Sequence, residues 1–149
     1  MDKNKLDSLI ERYEEVYMIA SKKINTMMEN QLEIELTKDQ FTTLRFLKLF
    51  GPCPASELAD LCDVNRSAIT AMVDRLVTKG YAERIASNKD RRVILIKITE
   101  QGEIVLQKGQ ERVHQFIGSF LHHFEEKEIE EFIRMYEKIA KVLNHKERN

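Results

Sequence analysis

The sequence predicts a mainly α chain with one small β-hairpin, a winged helix-turn-helix carrying long helices at both ends. Three observations predict it. Between Pro54 and Thr99 the pattern runs helix, tight turn, helix and then a two-stranded hairpin with a basic tip. Lys and Arg gather in that same segment. Apolar residues at helical spacing lie on either side of it.

Taking the elements in order, Leu6, Leu9, Ile10, Tyr13, Val16, Tyr17, Ala20, Ile24, Met27 and Met28 mark one face of a long first helix. Thr37-Lys38-Asp39-Gln40 is a capping box that opens a second helix. This helix runs from Phe41 to Phe50 with Phe41, Leu44, Leu47 and Phe50 expected inward, and Gly51-Pro52 ends it. In Ser56-Glu57-Leu58-Ala59-Asp60-Leu61-Cys62, Ser56 is the expected cap of a third helix, and Glu57 suits its positive first turn. Asp63-Val64 breaks that helix. Asn65 is a good N-cap for the next, Arg66 to Lys79, which stops at Gly80, where glycine can take the left-handed terminal conformation. Two helices joined this tightly cross steeply.

Within the Arg66–Lys79 helix, Ile69, Met72, Val73 and Leu76 form the stripe expected inward, which turns Ser67, Thr70, Ala71 and Asp74 outward. Arg66, Arg75 and Lys79 flank that face. Short polar side chains near a helix N-terminus reach base edges in a major groove, and cations at the edges find phosphates. The expected DNA contacts on this helix are Asn65, Arg66, Ser67, Thr70, Ala71 and Arg75. For Asp74 a structural role is preferred, because a carboxylate facing DNA is repelled unless it orients an Arg or accepts from cytosine.

Tyr81–Ile85 reads as a short strand, Ser87-Asn88-Lys89-Asp90 as a turn, and Val93–Ile98 as a β-branched strand. Lys89, Arg91 and Arg92 crowd the tip between the strands, where a narrow ribbon of cations fits a minor groove. After the hairpin, Thr99-Glu100 starts a long helix with Leu106, Val113, Phe116, Ile117, Phe120, Leu121 and Phe124 apolar. Glu125-Glu126 interrupts it. The last helix carries Ile129, Phe132, Ile133, Tyr136, Ile139, Ala140 and Leu143 on one face.

Charge locates the functional surface. Residues 1–64 hold 8 Lys and Arg against 12 Asp and Glu, residues 65–99 hold 8 against 3, and residues 100–149 hold 8 against 10. A net charge of −1 therefore conceals a local +5, and the acidic remainder discourages sequence-blind adhesion to nucleic acid. The implied organisation is an N-terminal dimerisation helix over 1–35, a DNA-binding winged helix-turn-helix over 36–100 and C-terminal dimerisation helices over 101–149. The end helices carry more apolar surface than a winged helix needs for its own core, so a second copy of the chain is the expected partner.

With 149 residues, 42% hydrophobic and 33% charged, the composition is that of an ordinary soluble helical protein. No apolar run suits a membrane span, and Met1-Asp2-Lys3-Asn4-Lys5 is not followed by a signal-peptide core, so a cytoplasmic location is expected. Enzyme readings find no phosphate-cradling Gly loop, nucleophile elbow or His-Glu metal motif, and 5 glycines leave few flexible loops. No cofactor is called for. The competing reading is an architectural or protein-interaction winged helix, which need not concentrate cations at the hairpin tip. Cys62 falls at a position for a packed apolar residue, whereas Cys53, between Pro52 and Pro54, is expected to be the more accessible thiol. Redox sensing at Cys53, and metal sensing by His114, His122 and His123 with neighbouring Glu, are lesser readings.

The order and spacing of Glu57-Leu58-Ala59, Val64, Arg66-Ser67, Thr70, Val73-Asp74-Arg75-Leu76, Gly80, Arg84, Asp90-Arg91-Arg92 and Ile98-Thr99-Glu100-Gln101-Gly102 cover about half the chain. In these residues the sequence resembles the multiple-antibiotic-resistance regulator (MarR) family. The resemblance implies a bacterial transcription factor, usually a repressor, that acts as a homodimer on a palindromic operator in double-stranded DNA. It also implies a small apolar or aromatic effector, bound between the dimer helices and the winged lobe. By the same resemblance Ser67 and Thr70 face the major groove, and Arg92 sits at the minor-groove tip with Asp90 holding its guanidinium in a fork. Two positions depart from the family. Asp63 stands where Gly is common, and Ala71 replaces a larger polar residue; it can touch a thymine methyl but cannot hydrogen-bond a base.

Overall fold

A computed structural model describes residues 1–32 and 35–147 of the chain. The elements are α1 (Lys3–Leu32), α2 (Lys38–Phe50), α3 (Ala55–Cys62), α4 (Arg66–Thr78), β1 (Ala82–Ala86), β2 (Ile94–Ile98), α5 (Glu100–Leu121) and α6 (Glu126–Glu147). They divide into two compact units, Met1–Val113 and His114–Asn149.

The first unit contains the winged lobe. A side-chain box fixes the start of α2: Thr37 Oγ1 accepts from Gln40 N–H at 3.1 Å while Gln40 Oε1 accepts from Thr37 N–H at 3.1 Å, closing the capping box. Leu44, Leu47, Leu58, Ile69, Val73 and Leu76 are essentially sealed from solvent, and Ala82, Ile96 and Ile98 extend this core under the hairpin. The strands pair antiparallel from Ala82↔Ile98 to Ala86↔Ile94. Two expectations fail in α2 and α3. Phe50 is exposed, because α2 ends with it and its ring stacks on Phe46 rather than entering the core. Ser56 is not a cap: Pro54 occupies the N-cap position, with no side-chain bond to the first turn, and Ser56 falls inside the helix.

Cys53 overturns a third expectation. It is buried, and its backbone exchanges both hydrogen bonds with Ile96, N–H to O at 3.2 Å and O from N–H at 2.8 Å. This single residue acts as a third strand at the root of the hairpin. Cys62 is the more open of the two thiols, half-buried with its sulfur 3.8 Å from Thr43 Oγ1.

The start of α5 is welded to the corner between α4 and β1. Thr99 donates its N–H to Tyr81 O at 3.0 Å and its hydroxyl to Gly80 O at 2.6 Å, while Thr99 Oγ1 accepts from Gly102 N–H at 3.0 Å. A Cβ at Gly102 would lie 2.1 Å from Tyr81 O, so only glycine permits this approach. One turn pair further along, a Cβ at Gly109 would press at 3.1 Å on Leu32 and Phe41, which brings α5 against α1 and α2.

The long end helices behave differently. Along α1, Leu6, Leu9, Ile10, Tyr13, Val16 and Tyr17 are exposed; within the second unit, α6 exposes Phe132, Ile133, Tyr136, Ile139 and Leu143.

Candidate nucleic-acid interface

The turn between α3 and α4 sets the aim of α4. Asp63 adopts the left-handed conformation, φ 54°, at the position where the resembling family commonly has Gly. Its N–H reaches Asp60 O at 3.2 Å and the Val64 N–H reaches Ala59 O at 3.0 Å, satisfying the carbonyls that α3 leaves open. Asn65 then caps α4, its Oδ1 accepting from Ala68 N–H at 2.8 Å.

Ile69, Val73 and Leu76 hold α4 to the core, and Met72 is half-buried beside them. Arg66, Ser67, Ala68, Thr70, Asp74 and Arg75 are exposed along the opposite side, with Ala71 half-buried between them. Several of these groups already have partners. Thr70 donates its hydroxyl to Arg66 O at 2.8 Å. Asp74 forms an ion pair with Arg84 of β1, tying α4 to the foot of the hairpin. Lys79 does not flank the interface as a free cation: its ammonium donates to Gln40 Oε1 at 2.9 Å and Glu35 O at 3.2 Å. Beside α4 a recess of ≈ 380 Å³ is lined by Thr43, Cys62, Val64, Ala68, Ala71 and Arg75, among others.

At the hairpin tip, Ser87 donates its N–H to Val93 O and Val93 returns its own to Asp90 O, both at 2.9 Å, closing the turn. Asp90 holds Arg92 at three points: Oδ1 accepts from the backbone N–H at 3.0 Å and from Nε at 3.2 Å, and Oδ2 accepts from Nη2 at 3.3 Å. The Arg92 side chain nevertheless remains 91% exposed. These bonds to Arg92 keep the Asp90 carboxyl below the ordinary carboxylate range, so the clamp is charged throughout the neutral range. Lys89 and Arg91 stand exposed beside it.

Both thiols titrate above the usual range. Burial pushes Cys53 up, with Glu57 and then Cys62 adding to it. Burial also raises Cys62, opposed by its hydrogen bond with Thr43 and assisted by Asp39. A redox sensor needs the opposite arrangement, a thiolate favoured by cations. Among the described residues no three His, Cys, Asp or Glu side chains come together as metal ligands, and no helix is long and apolar enough to cross a membrane.

The residues assigned from sequence therefore fall into two groups on one lobe, Asn65 to Arg75 on α4 and Lys89 to Arg92 at the wing. Sequence reasoning missed the Thr70, Lys79 and Arg84 partnerships; only the opposite charges of Asp74 and Arg84 signalled one of them.

Comparison with known proteins agrees with this architecture. Residues 36–94 match the model of the MarR family. The chain is 37% identical to YpoP, a helix-turn-helix-type transcriptional regulator of Bacillus subtilis, over 80% of its own length and 85% of that protein. It is 30% identical to MdtR, a helix-turn-helix-type transcriptional repressor of the same organism, over 82% and 79% of the two chains. Among solved structures, YusO from Bacillus subtilis superposes with a TM-score of 0.69 at 28% identity, covering 95% of this chain and 99% of that one. A capped, outward-facing α4 beside a cation-tipped wing, on a chain with these relatives, makes it a member of the MarR family of transcriptional regulators, not an enzyme.

Proposed function

We propose that the protein is a homodimeric repressor that binds a palindromic operator and is released from it by a small apolar or aromatic ligand. The observation that carries this reading is the pairing, on one lobe, of an exposed α4 face with an Asp90-held Arg92 at the wing tip. Asn65, Arg66, Ser67, Thr70, Ala71 and Arg75 meet the major groove and its phosphates; Lys89, Arg91 and Arg92 meet the adjacent minor groove, with Asp90 as the positioning carboxylate. Residues 1–35 and 101–149 supply the dimer contacts and 36–100 the DNA contacts.

The exposed apolar faces of α1 and α6 support the dimer, since unpartnered stripes of this length are costly in water. Repression follows the role of the relative MdtR, a transcriptional repressor, and a dimer seated on two half-sites blocks the DNA beneath it. The two recognition helices must sit roughly 34–36 Å apart to enter successive major grooves, so a ligand that prefers another spacing releases the DNA. By linkage that ligand binds the free protein more tightly than the complex. The site of action is the cytoplasm.

Two measurements test the reading. Light scattering at micromolar concentration is expected to give twice the 17.5 kDa chain mass. Selection from a random duplex pool is expected to enrich inverted repeats, with affinity falling steeply as salt rises. A monomer mass, or asymmetric enriched sites, overturns the dimer; binding that ignores salt and sequence leaves an architectural module.

A further inference from the structure

We propose that the recess between the end of α2 and the outer side of α3 binds a small organic cation, a quaternary ammonium or protonated amine carried on an apolar body. The inference stands apart from the operator reading, since neither DNA nor a second copy of the chain enters it.

The recess has a volume of ≈ 510 Å³, within the range of small-molecule sites, and is lined by Phe50, Pro52, Cys53, Glu57, Asp60 and Leu61. Its walls differ in chemistry. Phe50 falls at a position of the α2 apolar pattern, yet it stands 58% exposed, its ring stacked on Phe46 with the centroids 6.0 Å apart. An open aromatic ring has an electron-rich face that attracts cations. Pro52, Leu61 and the buried Cys53 supply apolar surface. Glu57 and Asp60 lie three residues apart on α3, hence on one side of it, and both are exposed. Among the described residues no Lys, Arg or His forms an ion pair with either carboxylate. The field of Glu57 reaches the apolar wall, where it adds to burial in pushing the Cys53 thiol up.

This combination selects the occupant. An anion is repelled by the two carboxylates. A metal ion lacks a ligand set, since among the described residues no three His, Cys, Asp or Glu side chains come together. A neutral apolar molecule would cover Glu57 and Asp60 without pairing them, at the cost of their hydration. An ammonium on an apolar body satisfies both walls: its charge meets the carboxylates and the Phe50 ring, and its body meets Pro52 and Leu61.

The test titrates benzyltrimethylammonium into the whole isotope-labelled chain and follows backbone amide shifts, with benzyl alcohol and benzoate as neutral and anionic counterparts at constant ionic strength. Shifts are expected to cluster at Phe50, Cys53 and Glu57 to Leu61, with an affinity of about 1 mM, low as befits so small a probe. Benzyl alcohol and benzoate are expected to bind at least about tenfold more weakly. Glu57→Gln combined with Asp60→Asn should weaken the cation about tenfold, the sum of two exposed charge pairs. Phe50→Leu should weaken it about threefold, the size of an exposed cation–π contact, while Phe50→Tyr retains it. All three side chains are exposed, so unchanged shifts elsewhere in each variant show that the fold is intact. Absence of shifts around the recess overturns the proposal. So does equal binding of benzyl alcohol, or full affinity in the carboxylate double variant.

Discussion

The winged lobe and the terminal helices both present apolar stripes at helical spacing, yet dispose of them in opposite ways. In the lobe, Leu44, Leu58 and Leu76 are wholly buried, held by capped helices and a hairpin whose root is pinned through Cys53. In α1 and α6, Tyr13 and Tyr136 remain 61% and 55% exposed. One region completes its core with its own residues, and the other leaves faces that only another surface can cover. If those open faces make the proposed dimer, stability and assembly are set in different parts of the chain, and substitutions of identical chemistry should separate them.

Leu44→Ala is expected to produce the largest loss, about 2–5 kcal/mol of unfolding free energy in a urea titration, because the lobe core cannot collapse around the cavity. Ile139→Ala removes a similar side chain from an exposed face, and is expected to raise the concentration below which the proposed dimer dissociates while leaving far-UV helicity intact. If both substitutions lower unfolding free energy equally at dilute concentration, the division between the regions is wrong.

A smaller effect sharpens the contrast within the lobe. Arg92→Ala is expected to weaken operator binding by about 1–3 kcal/mol per contacting subunit, the range of a charge-assisted hydrogen bond, without changing the urea midpoint. Arg92→Lys should recover only part of it, since an ammonium cannot lie in the Asp90 fork. Affinity equal to the parent at roughly physiological salt would remove the wing from the interface.

The thiols give a weaker, pH-dependent test. Because both pKa values are raised on folding, their contribution to stability is full below the unfolded thiol range and is lost as pH climbs through the folded values. Iodoacetamide at pH 8, a value below the ordinary thiol pKa of about 8.5, is therefore expected to label the folded chain more slowly than the urea-unfolded chain. Faster labelling of the folded chain would restore the redox reading. Least of all, Lys48→Ala should cost under about 1 kcal/mol, since its 2.9 Å pair with Glu103 is exposed on both sides.

What was legible in the sequence was local. The Thr37–Gln40 box, the Asn65 cap and the Ile69, Val73 and Leu76 positions of the α4 stripe depend on residues a few positions apart and appear as read, while Met72 is only half-buried and the turn between the strands closes over Asp90–Val93 rather than Ser87–Asp90. What was hidden lay in long-range backbone pairing and in choices between equivalent partners. Cys53 looked open because prolines flank it, but the bond to Ile96 closes it. Lys79 looked like a phosphate ligand until Gln40, 39 positions away, claimed it. The Thr70 hydroxyl could have served DNA or its own helix, and local spacing cannot choose between them.

The weld at Thr99 and Gly102 has a mechanical consequence. With the Tyr81 carbonyl lodged against a bare α-carbon and Thr99 bonded to both Gly80 and Tyr81, the first turn of α5 has no play against the end of α4. A tilt imposed there becomes a tilt of the recognition helix, as in a gear train without backlash. The 14 residues of α5 that belong to the first unit, Glu100 to Val113, span about 21 Å. Pushing Val113 sideways by about 3 Å would turn that stretch by about 8°. Enlarging Gly102 by even one methyl group would strip the first tooth of that train.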